Sequence, residues 1–280
     1  MRLVPDADAL IADPTIPIDS TLIEAAGPRL KIVANFAVGY DNIDVEACRA
    51  RGVLVTNTPD VLTDATAELA VTLMLAACRR LGEAERLLRA GHWTGWEAEQ
   101  LLGRELGSST VGIVGLGRIG YRVAELLQGF GPKLLYTSRT PRPEAESRLG
   151  AEAMELDTLL SQADVVSLHL PLTPATRRLF DEDRLARMRA GAILVNTSRG
   201  ALVDSRALAA ALRSGRLAAA ALDVYDEEPV VPADLLALEN VVLTPHIGSA
   251  TRRARDGMAR LVAENVTSVL EGGSPSTPVA

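Results

Sequence analysis

Val111 to Gly120 reads VGIVGLGRIG, an apolar run that passes into Gly115-Leu-Gly117-Arg-Ile-Gly120. The run ahead of the first glycine has the pattern of a buried strand. Tyr121-Arg-Val-Ala-Glu-Leu-Leu, after the last, has that of an amphipathic helix. This strand–turn–helix context marks a dinucleotide-binding turn; without it the glycines would be a plain turn between strand and helix. Gly115 permits the tight turn, Gly117 admits a pyrophosphate close to the backbone, and Gly120 lets helix and strand pack. The helix N-terminus offers unpaired N–H groups and the positive end of its dipole to the phosphates.

Outward from this stretch, near-continuous apolar runs recur: Lys133–Ser138, Asp164–Leu170, Ala192–Thr197, Ala219–Val224 and Val241–Leu243, with helical segments between them. Apolar strands alternating with helices imply a parallel sheet covered on both faces, with ligands at the carboxyl ends of its strands. The expected fold class is therefore α/β, a doubly wound parallel sheet. Asp157 is expected to cap one of the helices, and Asp204 or Ser205 another.

Upstream, Ala9–Ala12, Lys31–Val38 and Val53–Thr56 read as strands of a second, smaller βα domain, punctuated by Pro14, Pro17 and Pro28. No complete first βαβ unit precedes Ala9. From Thr63 to Arg89 the pattern predicts one long helix, with an apolar stripe at Leu62, Ala65, Leu69, Leu73 and Ala76 that suits either core packing or a dimer seam. Gly91-His-Trp93-Thr-Gly-Trp96 holds both tryptophans and suits a surface anchor or a pocket lid. A last helix, Thr251–Leu270, ends at Gly272-Gly273, with Pro275 blocking its continuation. The predicted division is a substrate domain over 1–60, a nucleotide domain over 61–249, and a C-terminal helix over 250–280 returning to the first.

The bulk composition narrows the field. The chain has 280 residues, 48% hydrophobic, with only 3% aromatic, so aliphatic side chains build the core. A net charge of −7 without a basic run argues against a nucleic-acid surface and gives no sign of membrane attachment. Two cysteines, Cys48 and Cys78, with three histidines and no CxxC, support neither a disulfide framework nor a metal site. No apolar run is long enough to span a bilayer, MRLVPDADAL is no signal peptide, and the C-terminus carries no Ser-Lys-Leu address. A reducing compartment, most simply the cytosol, is the expected location.

Four positions carry the expected chemistry. The strand Lys133–Ser138 runs into Arg139-Thr140, with no Asp or Glu for a ribose 2′-hydroxyl; an arginine there suits a 2′-phosphate, hence NADP(H), with NAD(H) as the alternative. Arg199 lies in Asn196-Thr-Ser-Arg-Gly200, Glu228 in Asp226-Glu-Glu-Pro229, and His246 in Thr244-Pro-His-Ile-Gly248. An arginine fork can clamp a carboxylate, a histidine can move the proton that accompanies hydride transfer, and a carboxylate can fix that histidine's tautomer. Together they suit interconversion of a 2-hydroxy acid and a 2-keto acid.

Those motifs, with Ala221-Leu-Asp223-Val224 and Glu228-Pro229, resemble the D-isomer-specific 2-hydroxy acid dehydrogenase family over nearly the whole chain. Asn57-Thr-Pro-Asp60, Tyr136-Thr-Ser-Arg139 and Pro245-His-Ile-Gly-Ser-Ala-Thr251 are similar to its glyoxylate/hydroxypyruvate reductase group. The resemblance implies a Rossmann domain joined to a flavodoxin-like substrate domain, and reduction of glyoxylate or hydroxypyruvate in the cleft between them. It implies that Arg199 binds the substrate carboxylate, that Glu228 supports His246 as acid/base, and that the backbone of Val38 and Gly39 contacts substrate. Asp223 would hold the nicotinamide carboxamide. Thr66, Gly115, Leu116, Gly117, Arg118, Ile119 and Gly120 would line the cofactor, as would Ser138, Arg139 and Thr140. Leu170, Pro171, Thr176, Thr197, His246 and Gly248 would complete that lining. His169 is not the catalytic histidine, and His92 reads as a loop residue. The tryptophan loop resembles one that reaches a partner subunit, implying a homodimer.

One departure stands out. The family's first substrate-domain strands precede the pattern found here, so that domain is expected to be incomplete, with an open edge and an exposed apolar face. Another D-2-hydroxy acid substrate, or a non-catalytic NAD(P)-sensing protein like the corepressors that share the fold, are the competing readings. A formate dehydrogenase fits less well, because it would carry Gln where Glu228 stands.

Overall fold

The computed structural model describes residues 4–279; residues 1–3 and 280, the outer ends of the predicted N- and C-terminal segments, lie outside the described residues. In chain order the elements are β1 (Ala9–Ala12), α1 (Ser20–Ala26), β2 (Ile32–Asn35), α2 (Val45–Ala50), β3 (Leu54–Thr56), α3 (Thr63–Cys78) and α4 (Leu81–Arg89). There follow β4 (Thr110–Val114), α5 (Arg118–Leu127), β5 (Lys133–Thr137), α6 (Pro143–Leu149), β6 (Glu152–Ala153), α7 (Leu156–Gln162) and β7 (Val165–Leu168). The chain closes with α8 (Glu182–Arg187), β8 (Ala192–Asn196), α9 (Ser205–Arg213), β9 (Leu217–Leu222), α10 (Ala233–Leu236), β10 (Val241–Leu243) and α11 (Arg252–Leu270). It forms two compact units, one holding the residues up to Ala65 and from Ser249 on, the other Thr66–Gly248.

In the first unit, among the described residues, β1, β2 and β3 form a three-stranded parallel sheet with β2 central. Asp19 and Asp44 cap α1 and α2 by accepting from the Leu22 and Ala47 amides, which fixes where each helix begins. Val33 and Val55 pack toward Ile23, Ala26 and Cys48, while Ile32 and Ala34 pack toward Val262 and Val269 of α11. Thr251 caps α11 through the Ala254 amide. Among the described residues β1 is an edge strand, and its Ile11 is 63% exposed. The predicted strand over Lys31–Val38 is shorter in the structure, because the chain leaves the sheet after Asn35 to form a loop that recurs below.

The second unit is the doubly wound Rossmann sheet, seven-stranded among the described residues and parallel throughout, in the order β10-β9-β8-β7-β4-β5-β6. Strands extend in opposite directions from β4, which puts a topological switch point between β4 and β7. Side chains alternate between the two faces. Val111, Val165, Ile193 and Val195 join one cluster with α3 and α5, while Val114, Val166, Leu168 and Leu194 join another with α7, α8 and α9. Burial of both faces is why these strands read as continuous apolar runs. Asp164, buried just ahead of β7, accepts from Arg104 and Arg189 and from the Thr110 amide, tying β7 to β4.

Three local expectations are corrected. The single helix over Thr63–Arg89 is two, broken where Arg80 takes a left-handed conformation (φ 51°) and forks its guanidinium onto Glu83. α3 is buried on most of its surface, with Ala67, Ala70, Val71, Met74 and Ala77 in the core beside Leu73 and Ala76 of the stripe, which is the core-packing alternative. Asp157 does not cap its helix: Glu155 stands at the cap position, and Asp157, inside the first turn, pairs with Arg187. The two-residue β6 went unread because Glu152 and Ala153 are exposed and carry no apolar signal.

Cys48 and Cys78 are free and buried, and burial pushes both thiols up to about 11. Among the described residues no helix is long and apolar enough to cross a membrane, and no cluster of ligating side chains could hold a metal ion.

Candidate active site

Strand register lines up the sheet's carboxyl edge. Thr137, Val114, Leu168, Asn196, Leu222 and Leu243 are successive cross-strand partners. The residues just past this row are Ser138 and Arg139, Gly115, His169 to Pro171, Thr197 to Arg199, Asp223, and Thr244 to His246. The sequence motifs, scattered over more than a hundred positions, thus share one edge of the second unit.

The glycine turn shows which positions the fold itself requires. Gly115 has φ +95°, and a Cβ there would lie 2.6 Å from the His169 carbonyl. A Cβ at Gly120 would meet the Gly115 carbonyl, so α5 could not start so close to β4. Gly117 differs: its backbone is extended, and a Cβ would meet nothing within 4 Å. Neither conformation nor packing within the protein requires glycine at the α5 N-terminus, so the space is free for something outside the chain. Beyond β8, the buried Thr197 hydroxyl has no hydrogen-bond partner in the protein. An open α5 N-terminus and an orphaned buried hydroxyl at one sheet edge fit a bound dinucleotide.

The loops beside the turn are braced. The Thr176 hydroxyl donates to the Pro171 carbonyl (2.8 Å) and accepts from the Thr173 amide. His169 shares a bond with Ser167 and is held neutral, with its pKa pushed down to about 4 by burial. After β5, the buried Tyr136 hydroxyl donates to Glu146 (2.7 Å) and accepts from the Arg142 amide, which shapes the turn carrying the exposed Arg139 and Thr140.

His246 and Glu228 form a pair, with Nδ1 2.7 Å from Oε2. The other Glu228 oxygen accepts from the Tyr225 amide (2.9 Å). Burial pushes the Glu228 carboxyl up, but the His246 and Tyr225 bonds and the charges of His246 and Arg199 hold it below the usual carboxylate range. It is therefore an anion at neutral pH, able to fix the ring so that Nε2 faces away from it. His246 takes a left-handed φ of 52°, a conformation a histidine adopts only where its surroundings enforce it.

Asp223 supplies that enforcement. It is fully buried, and its Oδ1 accepts from the Thr244 hydroxyl (2.6 Å) and the Ile247 amide (2.8 Å), its Oδ2 from the Gly248 amide (2.8 Å). Burial pushes this carboxyl above its usual value, against those same bonds. The Thr66 hydroxyl donates to the Gly248 carbonyl and closes the turn from α3. A carboxylate has about four acceptor positions, so Oδ2 retains capacity for one further donor.

The Arg199 loop is built by Asn196, whose amide donates to the Arg199 carbonyl (2.8 Å) and whose oxygen accepts from the Ser198 N–H (3.0 Å). Arg199 itself donates to the Ser198 carbonyl. A Cβ at Gly200 would fall 1.9 Å from the Tyr225 carbonyl carbon, so glycine is mandatory there. That close approach seats the Arg199 loop on the Tyr225–Glu228 turn. Gly200, Tyr225, Thr244 and Asn196 are support residues that motif reading did not single out; the Asn and Gly within Asn196–Gly200 were the available signal. In the first unit, Val38 and Gly39 lie in the loop after β2, with the Val38 carbonyl accepting from the Asn57 side chain. Trp93 and Trp96 are 53% and 83% exposed, in a stretch without regular structure.

Comparison with known proteins places the chain in a family. Residues 71–248 match the model of the D-isomer specific 2-hydroxyacid dehydrogenase NAD-binding domain. A glyoxylate reductase of Thermococcus kodakarensis is 52% identical over 283 residues, covering all of this chain and 85% of that protein. One of Aeropyrum pernix is 52% identical, covering 96% and 82%. The crystal structure of an NADPH-dependent glyoxylate/hydroxypyruvate reductase from Sinorhizobium meliloti, in complex with NADP and malonate, superposes with a TM-score of 0.91 at 39% identity, covering all of this chain and 86% of that one. With its Rossmann sheet, its glycine turn and its carboxyl-edge pair in place, the chain belongs to the D-isomer specific 2-hydroxyacid dehydrogenase family of oxidoreductases.

Proposed function

We propose that this chain reduces glyoxylate, and hydroxypyruvate beside it, to the 2-hydroxy acid with NADPH as the preferred cofactor. The observation that carries the reading is the 2.7 Å His246–Glu228 pair beside Arg199 at the carboxyl edge. Arg199 grips the substrate carboxylate, and the backbone of Val38 and Gly39 is a further substrate contact. His246 delivers a proton from Nε2 to the 2-keto oxygen, while Glu228 accepts the Nδ1–H and steadies the ring. The reduced nicotinamide cofactor supplies the hydride when bound. Gly117, Arg118 and the α5 N-terminus take its pyrophosphate, with Leu116, Ile119, Leu170, Pro171, Thr176 and Thr197 around it and Asp223 accepting from its carboxamide.

Arg139, exposed at the end of β5 with Ser138 and Thr140 and no acid beside it, supports the preference for a 2′-phosphate. The test is the loss of NADPH absorbance with glyoxylate or hydroxypyruvate, repeated with NADH. NADPH turnover is expected to dominate, and Arg139→Ala to cost about 10–100-fold in kcat/KM for NADPH, the worth of one charge-assisted bond, with NADH little changed. Equal use of both cofactors by the unaltered enzyme overturns the assignment of Arg139.

The exposed indoles of Trp93 and Trp96 support a homodimer. Sedimentation equilibrium is expected to give twice the chain mass, and Trp96→Ser to weaken the association; a monomeric native enzyme removes the proposal. Two buried, unoxidised thiols suit a cytosolic setting.

A further inference from the structure

The loop after β2 has no regular structure, yet two consecutive carbonyls in it are held by buried or half-buried carboxamides. Asn57 Nδ2 donates to the Val38 carbonyl at 2.8 Å, and Asn35 Nδ2 donates to the Gly39 carbonyl at 2.7 Å. In a planar trans peptide the N–H points opposite the C=O. Fixing the Val38 carbonyl therefore fixes the Gly39 N–H, and fixing the Gly39 carbonyl fixes the Tyr40 N–H. Glycine at 39 makes a rotation of either peptide plane cheap. A rotated plane would present a carbonyl oxygen where an anion needs a donor.

Asn57 is in turn held by the C-terminal tail. Its backbone carbonyl accepts from the Thr277 hydroxyl (2.7 Å), and its N–H donates to the Thr277 carbonyl (3.3 Å). Asn265 of α11, 1% exposed, folds the tail onto itself. Its oxygen accepts from the Ser276 and Thr277 amides, and its nitrogen donates to the Thr277 hydroxyl (2.8 Å). The tail then runs antiparallel to β3, Thr56 opposite Pro278, with the Val279 N–H donating to the Val55 carbonyl. Asn35 is completely buried, so its side chain has no freedom to release the Gly39 carbonyl to water.

We propose that Asn57 and Asn35 are positioning residues for the reduction: they aim the Gly39 and Tyr40 N–H groups at the substrate carboxylate, and the C-terminal tail, through Thr277, sets Asn57. This rests on the reading of Val38 and Gly39 as substrate contacts. A side chain that touches no substrate thus governs the affinity for it, through a relay from α11 to Thr277, to Asn57, to Val38.

The test uses Asn57→Asp, which keeps the shape and replaces the donating amide with an acceptor, and Thr277→Val, which removes only the hydroxyl. Thermal melting identifies variants that fold. In Asn57→Asp the KM for glyoxylate is expected to rise about tenfold or more, the worth of one well-placed bond to a charge. The kcat and the affinity for NADPH should move far less. Thr277→Val should shift KM the same way by a smaller factor, and Asn57→Gln should recover part of the loss. A KM unchanged in the folded variants overturns the proposal, as does a loss shared equally with NADPH affinity. Calorimetric binding of oxalate to the NADPH complex separates this from the substrate assignment. If the native enzyme binds oxalate without turning over glyoxylate, the substrate reading fails, and a tenfold weaker oxalate affinity in Asn57→Asp still supports the relay. Equal oxalate affinity in both, or none in either, overturns it.

Discussion

His246→Ala is expected to lower kcat with glyoxylate by about 10²–10⁴-fold, the range a positioned proton donor contributes, while NADPH binding by fluorescence is retained. The separation of the two effects follows from construction. The turn that carries His246 is held by its backbone to Asp223, not by the imidazole, so removing the ring leaves the Ile247 and Gly248 amides bonded. What disappears is the Nε2 proton and the partner of Glu228. Glu228→Gln keeps an acceptor without the charge and should fall between the two. The pH response has a definite sign. Because the Glu228 carboxyl lies below its usual value in the fold, its pairing contributes stability above the ordinary carboxylate pKa. That contribution is lost as the pH falls through the lower, folded value. Turnover by His246→Ala within a few-fold of native would remove the histidine from the mechanism.

Arg199→Ala is expected to cost about 10²–10⁴-fold in kcat/KM for the keto acid, from the loss of two charge-assisted bonds worth roughly 1.5–3 kcal/mol each. Arg199→Lys should recover only part of this, since an ammonium keeps the charge but not the fork. NADPH affinity is the control, because the positions proposed for the cofactor's phosphates are the glycine turn and the end of β5, while Arg199 is set by Asn196 and Gly200. An unchanged KM in Arg199→Ala would mean that the carboxylate is gripped elsewhere. The predicted effect reaches kcat as well as KM, because a keto acid held loosely no longer presents its carbonyl carbon at the reactive distance.

Much of this edge was legible before the fold was known, for a physical reason. Strands buried on both faces must be continuously apolar, so their ends are visible in the sequence, and in a parallel sheet every such end faces the same way. Locating the motifs at strand ends therefore located them together, without a single distance. The glycines were legible because backbone geometry tolerates few substitutes, although only Gly115 and Gly120 answer to the protein's own packing and Gly117 does not. The break at Arg80 was not legible: Arg79-Arg80 is a good helical dipeptide, and only the left-handed turn with its Glu83 fork ends α3. The misassigned cap at Asp157 shows that an acid near a helix start is favoured at several first-turn positions by charge alone. Asn57 and Asp223 carry their weight through partners distant in the chain, which no local pattern reveals.

The first unit is interrupted: Thr66 to Gly248 lies between its two parts. During synthesis, the face of β2 formed by Ile32 and Ala34 therefore stays uncovered until α11 has been made, because Val262 and Val269 are its cover. The nucleotide-binding sheet is continuous in the chain and needs nothing that emerges later. In chain order the Rossmann sheet is thus complete before the cover of the smaller sheet has been made. The last helix among the described residues completes the unit that was begun first.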